Sequence, residues 1–176
     1  MNQIVVSGFG GQGVLSLGLL LSYTAMKENR NTSFLPSYGP EMRGGTANCS
    51  VVISEKEVAS PVISRPDILV AFNEPSLARF LPAVAEGGRV FVDADTTDER
   101  YTSLANVTAV PLGRLCGAYH KGQNIAMFGA VLLCTGMRYE SGEEAVRQAF
   151  ARKPQFLEDN LRCLQAGYAW AQKAGL

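Results

Sequence analysis

The sequence predicts an α/β fold with an open, Rossmann-like sheet that carries helices on both faces. Three observations support this. Apolar, β-branched runs alternate with helical segments, the first such run breaks into glycines before a long apolar stretch, and the last third of the chain has helical patterns. Neither a linker nor an internal repeat interrupts the sequence, so we expect one domain over residues 1–176.

The first half of the chain has three strand-like segments. A β-branched run around residues 4–6 precedes a helix that begins near Val14, and strand composition recurs at residues 32–35 and 47–54. A shorter run at residues 58–63 follows after a charged turn, which predicts a local β-hairpin after the second strand.

A continuous apolar run at residues 68–72 is typical of a parallel strand that is covered on both faces. It ends at Asn73, after which a helix is predicted through Phe80. Two more strands are predicted at residues 89–93 and 106–110.

The C-terminal third is predicted to be helical. An apolar helix covers residues 123–137, and Ser141 with Glu144 three positions later forms a capping box that begins a second helix. Pro154 opens a third helix, which runs to about residue 174.

Composition excludes several classes of function. With 47% hydrophobic and 18% charged residues the chain is globular, and sixteen basic residues balance sixteen acidic ones. The chain therefore has no net positive field for nucleic acid and no polybasic tail for a membrane surface. The N-terminus enters a strand directly, and the longest apolar stretches are too short for a membrane span, so we expect a cytoplasmic protein.

The four cysteines are far apart in sequence, and no pair has the short spacing of a zinc or iron–sulfur site. We therefore expect no metal site and no cluster on this chain, and reduced thiols instead.

The glycines after the first strand have the G-x-G-x-x-G spacing, at Gly8, Gly10 and Gly13. Such a strand-to-helix turn leaves backbone N–H groups of the first helical turn facing an anion, which predicts a phosphate site. The same glycines also serve close helix-to-strand packing, so a bound ligand and a packing role both remain open. Conventional NAD binding is disfavoured, because the second strand ends without the carboxylate that holds the ribose hydroxyls.

The loop after the second strand is the other distinctive segment. Pro36 and Pro40 restrict the backbone on either side of the loop tip, and Gly44-Gly45 frees it. The loop is either a recognition surface or an ordinary stiffened turn.

Together, these segments resemble the γ chain of the 2-oxoacid:ferredoxin oxidoreductases, the family that includes pyruvate, 2-oxoisovalerate and 2-oxoglutarate enzymes. The matching motifs occur in family order over nearly the whole chain. They are Gly8-Phe9-Gly10-Gly11-Gln12-Gly13, Ser37-Tyr38-Gly39-Pro40-Glu41-Met42-Arg43-Gly44-Gly45, Ala71-Phe72-Asn73-Glu74-Pro75-Ser76, and Asn124 with Gly129.

The resemblance implies one subunit of an enzyme that oxidatively decarboxylates a 2-oxoacid to an acyl-coenzyme A and reduces ferredoxin. It also implies partner α and β chains, and in some enzymes a ferredoxin-like δ chain, which hold thiamine diphosphate and iron–sulfur clusters. This chain would then carry no complete catalytic site, and the isolated chain could form a homodimer. Its loop segment is most similar to those of the 2-oxoglutarate and branched-chain enzymes, but the substrate is not fixed by the sequence.

Two roles follow for these motifs. In the first, the glycine turn (Gly8, Phe9, Gly10, Gly11, Gln12, Gly13) helps to dock coenzyme A, with a charge-assisted contact from Arg43. In the second, both motifs are subunit interface, and we assign that role to Ser37, Tyr38, Gly39, Pro40, Glu41, Met42, Gly44 and Gly45. The alternatives are a stand-alone dinucleotide-binding oxidoreductase and a purely structural subunit without a ligand.

Four other polar residues have simpler interpretations. His120 is the only histidine and is read as a surface residue without a role. Asp93 follows a strand and is read as a turn or cap residue. Asn73 and Asn124 either face the same crevice or serve turn and helix-start hydrogen bonds.

Overall fold

Six strands form one mixed sheet in the computed structural model, which describes residues 1–38 and 46–176. The strands are β1 (Asn2–Phe9), β2 (Asn31–Tyr38), β3 (Thr46–Ser54), β4 (Ile68–Ala71), β5 (Arg89–Asp93) and β6 (Val107–Val110). Their order across the sheet is β2-β3-β1-β4-β5-β6. Strands β1, β4, β5 and β6 are parallel, whereas β3 runs antiparallel to both of its neighbours.

The register places both ends of the 39–45 segment beside the glycine turn. Tyr38 at the end of β2 pairs with Ala47 of β3, and Ala47 pairs on its other side with Gly8 of β1. The next pair is Phe9 with Thr46, the first residue after the segment. The glycine turn and the described ends of β2 and β3 that flank residues 39–45 therefore lie at the same edge of the sheet.

Seven helices are present in the described ranges, namely α1 (Val14–Lys27), α2 (Glu74–Phe80), α3 (Glu99–Thr102), α4 (Leu112–Cys116), α5 (Gln123–Cys134), α6 (Tyr139–Ala149) and α7 (Leu157–Lys173). Helices α1, α5, α6 and α7 bury their apolar side chains in one core cluster with Ile4 and Val6 of β1. Leu77 of α2 and Tyr101 of α3 pack with Val5 on the opposite face. Alternate residues of β1 thus serve two cores, and the prediction of an open sheet with helices on both faces is confirmed.

The predicted pairing of residues 47–54 with residues 58–63 is wrong. Strand β3 pairs with β2 and β1, and no strand forms at residues 58–63. That segment contains Pro61 and exposes Val62 to 67%, whereas alternate residues of β3 are buried in the core cluster that α1 also enters. The strand itself was predictable from composition, but its pairing was assigned to the apolar run that follows it, whereas its partners are the preceding strand β2 and the distant strand β1.

The capping box at Ser141 is also wrong. Helix α6 begins at Tyr139, and Ser141 is 4% exposed within its first turn. The backbone N–H of Arg138, which precedes the helix, donates to Glu28 Oε1 at 2.7 Å, so a tertiary contact fixes the start of this helix. The third C-terminal helix does follow a 3₁₀ turn at Pro154–Phe156, and the helical C-terminal third is confirmed.

Helices α5 and α7 cross at glycines. A Cβ atom on Gly167 would overlap the carbonyl oxygen of Ala126, and one on Gly129 would overlap that of Leu164. This backbone contact fixes the position of α5, whose N-terminus lies next to the glycine turn. None of the helices in the described ranges has the length and apolar character needed to cross a membrane.

Candidate functional site

Two constraints explain the glycines of the turn after β1, namely close packing against neighbouring elements and left-handed backbone conformations. Gly13 caps the N-terminus of α1 with φ of 78°, and Gly11 has φ of 101°. A Cβ atom on Gly8 would lie 2.9 Å from Val14 and 3.0 Å from Phe72, and one on Gly13 would overlap the Asn124 side chain. Gly8 and Gly13 therefore allow close approach of neighbouring elements, and Gly11 and Gly13 supply backbone conformations that side chains disfavour.

Gln12 holds this turn in place through its side-chain amide. Its Oε1 accepts hydrogen bonds from the backbone N–H of Phe9 at 2.6 Å and from Asn73 Nδ2 at 2.9 Å. Its Nε2 donates to the Phe72 carbonyl at 3.1 Å. The amide therefore joins the ends of β1 and β4, and its hydrogen-bonding groups are engaged by the protein.

This junction is the topological switch point of the sheet. From β1 the chain passes through α1 to β2 on one side, and from β4 it passes through α2 to β5 on the other. Helices α1 and α2 lie on opposite faces, so a crevice opens at the carboxyl ends of β1 and β4, where ligands bind in open α/β sheets.

A cleft of about 660 Å³ lies beside the glycine turn. Its wall combines the start of α1, the start of α5 and the end of α6. The lining residues are Gly11, Gln12, Gly13, Ser16, Leu19, Leu20, Tyr23, Phe72, Asp93, His120, Lys121, Gln123, Asn124, Ile125, Ala149, Phe150 and Lys153. A volume in this range is typical of a small-molecule site.

The charges in the cleft favour an anion. Lys121 and Lys153 are exposed at its rim, and the N-terminus of α1 opens into it without a side-chain cap.

Asp93 is 6% exposed, and burial is the main cause that raises the pKa of its carboxyl; the nearby Asp95 charge acts in the same direction. The backbone N–H of Asp95 donates to Asp93 Oδ1 at 3.0 Å and opposes that shift.

The opposite part of the wall is apolar. Leu19 and Tyr23 on α1 are 36% and 37% exposed, and Phe150 follows α6. Met26, 60% exposed, extends this stripe along α1 beyond the cleft. The arrangement can hold a ligand that has a negatively charged group at one end and a flat or apolar group at the other.

The residues predicted for cofactor binding are distributed as follows. Gly11, Gln12 and Gly13 line the cleft, Gly8 is buried behind them, and Phe9 and Gly10 are exposed on the turn. Arg43 lies outside the described residues.

Of the predicted interface residues, Ser37 is exposed on the edge strand β2 and Tyr38 is the last residue of that strand. The others lie outside the described residues, namely Gly39, Pro40, Glu41, Met42, Gly44 and Gly45.

Sequence reasoning missed the basic side of the cleft. His120 is exposed, as predicted, and it lines the cleft together with Lys121 and Lys153, which were not considered. The signal available in the sequence was their position in loops, next to a glycine or a proline. The turn interpretation of Asp93 is confirmed by its bond to Asp95, and Asn73 caps α2 by accepting the Ser76 N–H at 2.9 Å.

The sheet order adds a reason against a conventional dinucleotide site. Strand β3 separates β1 from β2, so the end of β2 lies two strand spacings, about 10 Å, from β1. In a dinucleotide fold, the acidic residue that binds the ribose lies on the strand next to β1. Among the described residues, no group of three or more histidine, cysteine or carboxylate side chains is placed to hold a metal ion.

Comparison with known proteins gives consistent matches over nearly the whole chain. A family model described as pyruvate ferredoxin/flavodoxin oxidoreductase matches residues 3–170. The ketoisovalerate oxidoreductase subunit VorA of Methanothermobacter marburgensis is 43% identical over 175 residues, which cover 97% of this chain and 37% of VorA. The 2-oxoglutarate synthase subunit KorC of Methanocaldococcus jannaschii is 33% identical over 178 residues, which cover 97% of this chain and 94% of KorC.

Among solved structures, the gamma subunit of a keto/oxoacid ferredoxin oxidoreductase from Geobacter sulfurreducens superposes with a TM-score of 0.80 at 28% identity. The superposition covers 98% of this chain and 99% of that one. The chain therefore spans little more than a third of VorA, but nearly all of KorC and of the Geobacter subunit.

Proposed function

Because the chain belongs to the pyruvate ferredoxin/flavodoxin oxidoreductase family, we propose that it is the γ-type subunit of a multi-subunit 2-oxoacid:ferredoxin oxidoreductase. Such an enzyme converts a 2-oxoacid and coenzyme A to carbon dioxide and an acyl-coenzyme A, with reduction of ferredoxin. The matches to KorC and to the Geobacter gamma subunit, which cover 94% and 99% of those chains, support the γ-type assignment. In VorA the same region is part of a longer chain.

In this proposal the chain is an accessory subunit in the cytoplasm. Partner α and β chains, with or without a ferredoxin-like δ chain, hold thiamine diphosphate and the iron–sulfur clusters. A branched-chain 2-oxoacid is the first candidate substrate and 2-oxoglutarate the second, because the chain is 43% identical to a ketoisovalerate subunit and 33% identical to a 2-oxoglutarate subunit.

The subunit assignment is tested by anaerobic affinity purification of this chain from its native cells. We expect thiamine- and cluster-containing chains to co-elute, and the eluate to reduce ferredoxin when coenzyme A and a branched-chain 2-oxoacid are added. A chain that elutes alone and without activity would contradict the proposal.

We assign to the cleft a role in docking the anionic end of coenzyme A. One observation carries this step: the open N-terminus of α1 faces the same cleft as Lys121 and Lys153. Backbone N–H groups and ammonium groups bind phosphate oxygens, and the wall of Leu19, Tyr23 and Phe150 suits an adenine ring. Arg43 is assigned a further contact with a phosphate group.

Calorimetric titration of the full chain with coenzyme A tests this role. The double variant Lys121→Ala/Lys153→Ala is expected to bind at least about tenfold more weakly, because two charge-assisted contacts are lost. Lys56→Ala/Lys173→Ala removes the same charge outside the cleft and is the matched control. Equal weakening in both double variants would show a general charge effect instead of a site.

A second role for the same region is supported by the exposed stripe of Leu19, Tyr23 and Met26 on α1. Apolar side chains in a row on one helix face are typical of a surface that a partner chain covers. The variant Met26→Glu lies outside the cleft and distinguishes the two roles. Loss of co-purifying subunits with unchanged coenzyme A binding would assign the stripe to assembly.

A further inference from the structure

One carboxylate lies among the basic groups of the cleft beside the glycine turn. Asp93 is the last residue of β5, and it is the one acidic side chain among the described residues that line this cleft. The other charged groups there are Lys121 and Lys153. A carboxylate repels phosphate, so attraction of an anion does not account for Asp93.

The register of the sheet places Asp93 next to Phe72. Ala71 of β4 pairs with Val92 of β5, so Phe72 and Asp93 follow side by side at the carboxyl ends of these strands. The Phe72 carbonyl accepts a hydrogen bond from Gln12 Nε2 at 3.1 Å. The cleft therefore extends from the glycine turn past Phe72 to β5, which lies two strand spacings, about 10 Å, from β1.

The apolar wall of the cleft lies on the other side of β1. Leu19 and Tyr23 belong to α1, and a Cβ atom on Gly18 of the same helix would overlap the Cys49 sulfur of β3. Helix α1 therefore covers β3, whereas β5 lies in the opposite direction across the sheet. The cleft thus has three surfaces in order, namely the apolar wall, the glycine turn with the open N-terminus of α1, and Asp93.

Asp93 can accept a hydrogen bond from a molecule in the cleft. Its Oδ1 accepts the Asp95 N–H at 3.0 Å, and the two oxygens of a carboxylate offer about four acceptor positions. Burial raises the pKa of this carboxyl, because its ionised form loses hydration. A neutral N–H or O–H donor on a ligand offsets that loss, whereas a phosphate group adds repulsion.

We propose that Asp93 accepts a hydrogen bond from the pantetheine arm of coenzyme A and so fixes the direction in which this molecule lies in the cleft. Coenzyme A has a diphosphate in its middle and an adenosine with a 3′-phosphate on one side. On the other side is a neutral arm with a hydroxyl and amide N–H groups. The three surfaces match this order, and the inference rests on the proposed docking of coenzyme A.

Charge disfavours the reverse direction. With the molecule turned around, the adenosine and its 3′-phosphate would approach Asp93, and two anions repel each other strongly where water is excluded. The neutral arm would then lie against Leu19 and Tyr23, where it would lack the carboxylate acceptor. The direction in which the arm passes Phe72 towards β5 avoids both costs.

Titration of the full chain with two ligands tests the contact. The second ligand, 3′-phosphoadenosine 5′-diphosphate, keeps the adenosine and the phosphates but lacks the pantetheine arm. In Asp93→Asn, the side-chain oxygen still accepts the Asp95 N–H, and the charged acceptor is lost. We expect coenzyme A to bind this variant at least about tenfold more weakly. The shorter ligand should bind equally well or more tightly, because a repelling charge is removed.

Glu86→Gln is the matched control, since Glu86 is an exposed carboxylate outside the cleft, and it should change neither affinity. A general charge effect of Asp93→Asn would tighten the binding of both ligands, and a folding defect would weaken both. Either result, or no change for both ligands, would overturn the contact with Asp93.

The same titrations separate this contact from the docking role itself. If the native chain binds neither ligand, the docking of coenzyme A is contradicted and the inference fails with it. If Lys121→Ala/Lys153→Ala weakens the binding of coenzyme A while Asp93→Asn does not, the docking role stands and the contact with Asp93 is wrong.

Discussion

Asn73 Nδ2 donates a hydrogen bond to Gln12 Oε1 at 2.9 Å, which joins the glycine turn after β1 to the helix start after β4. Asn73 also accepts the Ser76 N–H through its Oδ1, so one side chain caps α2 and holds the neighbouring turn. The two sides of the switch-point crevice are thereby fixed relative to each other without a ligand. A preformed anion site requires this, because flexible N–H groups would have to be ordered on binding.

Replacing Gln12 tests this link. Gln12→Ala removes the acceptor of the Phe9 and Asn73 donors and the donor to Phe72, and is expected to reduce the free energy of unfolding by about 1–2 kcal/mol. Urea denaturation measures the change. Gln148→Ala, at an exposed position on α6, is the control and should leave the unfolding midpoint unchanged. A stable Gln12→Ala chain would show that the turn holds its shape without this amide.

Alanine substitutions at the two left-handed glycines of the turn distinguish the cost of backbone strain from the cost of steric overlap. A side chain at Gly11, with φ of 101°, meets open space, so Gly11→Ala is expected to cost about 1 kcal/mol of unfolding free energy. Gly13→Ala has a similar backbone strain and also overlaps the Asn124 side chain, so we expect it to lower the free energy of unfolding by roughly 2–4 kcal/mol. Thermal or urea unfolding of both variants measures the difference. Equal costs would mean that Asn124 moves aside freely.

The buried carboxyl of Asp93 gives a pH-dependent prediction. Its pKa is raised in the folded state, so its contribution to stability is present below the unfolded pKa and is lost as pH rises through the folded pKa. Asp93→Asn keeps an acceptor for the Asp95 N–H but cannot ionise. The variant is therefore expected to gain stability relative to the native chain as pH rises from about 3 to about 7.

Denaturant unfolding at several pH values between these limits measures that gain. Glu86→Gln removes an exposed carboxylate and should show no such trend. A difference between Asp93→Asn and the native chain that does not change with pH would contradict the assignment of the raised pKa to this carboxyl.

Cys49 is predicted to be inert in the folded chain. Burial raises the pKa of its thiol to about 12, so almost no thiolate is present near neutral pH. In a Cys116→Ser/Cys134→Ser/Cys163→Ser chain, Cys49 is the remaining thiol, and its labelling by a thiol reagent should proceed at the rate of unfolding. Labelling should accelerate with added urea. Rapid labelling in native buffer would indicate a local opening between β3 and α1.

The sequence by itself determined the features that depend on neighbouring residues. The glycine turn follows from a β-branched run that meets Gly8 and Gly13, the cap of α2 follows from Asn73 before Glu74-Pro75, and β5 matches its apolar run at both ends. Motif order determined the family, which the full-length relatives confirm. These features rest on local backbone preferences and on patterns that side-chain periodicity makes visible.

The tertiary structure alone decided which distant residues meet. Strand β3 pairs with β1 and β2 instead of with residues 58–63, and the start of α6 is set by Glu28. Lys121 and Lys153, from the second half of the chain, line the same cleft as the glycine turn. Such contacts depend on how buried surfaces fit together across the whole core, and a local pattern carries no information about that fit.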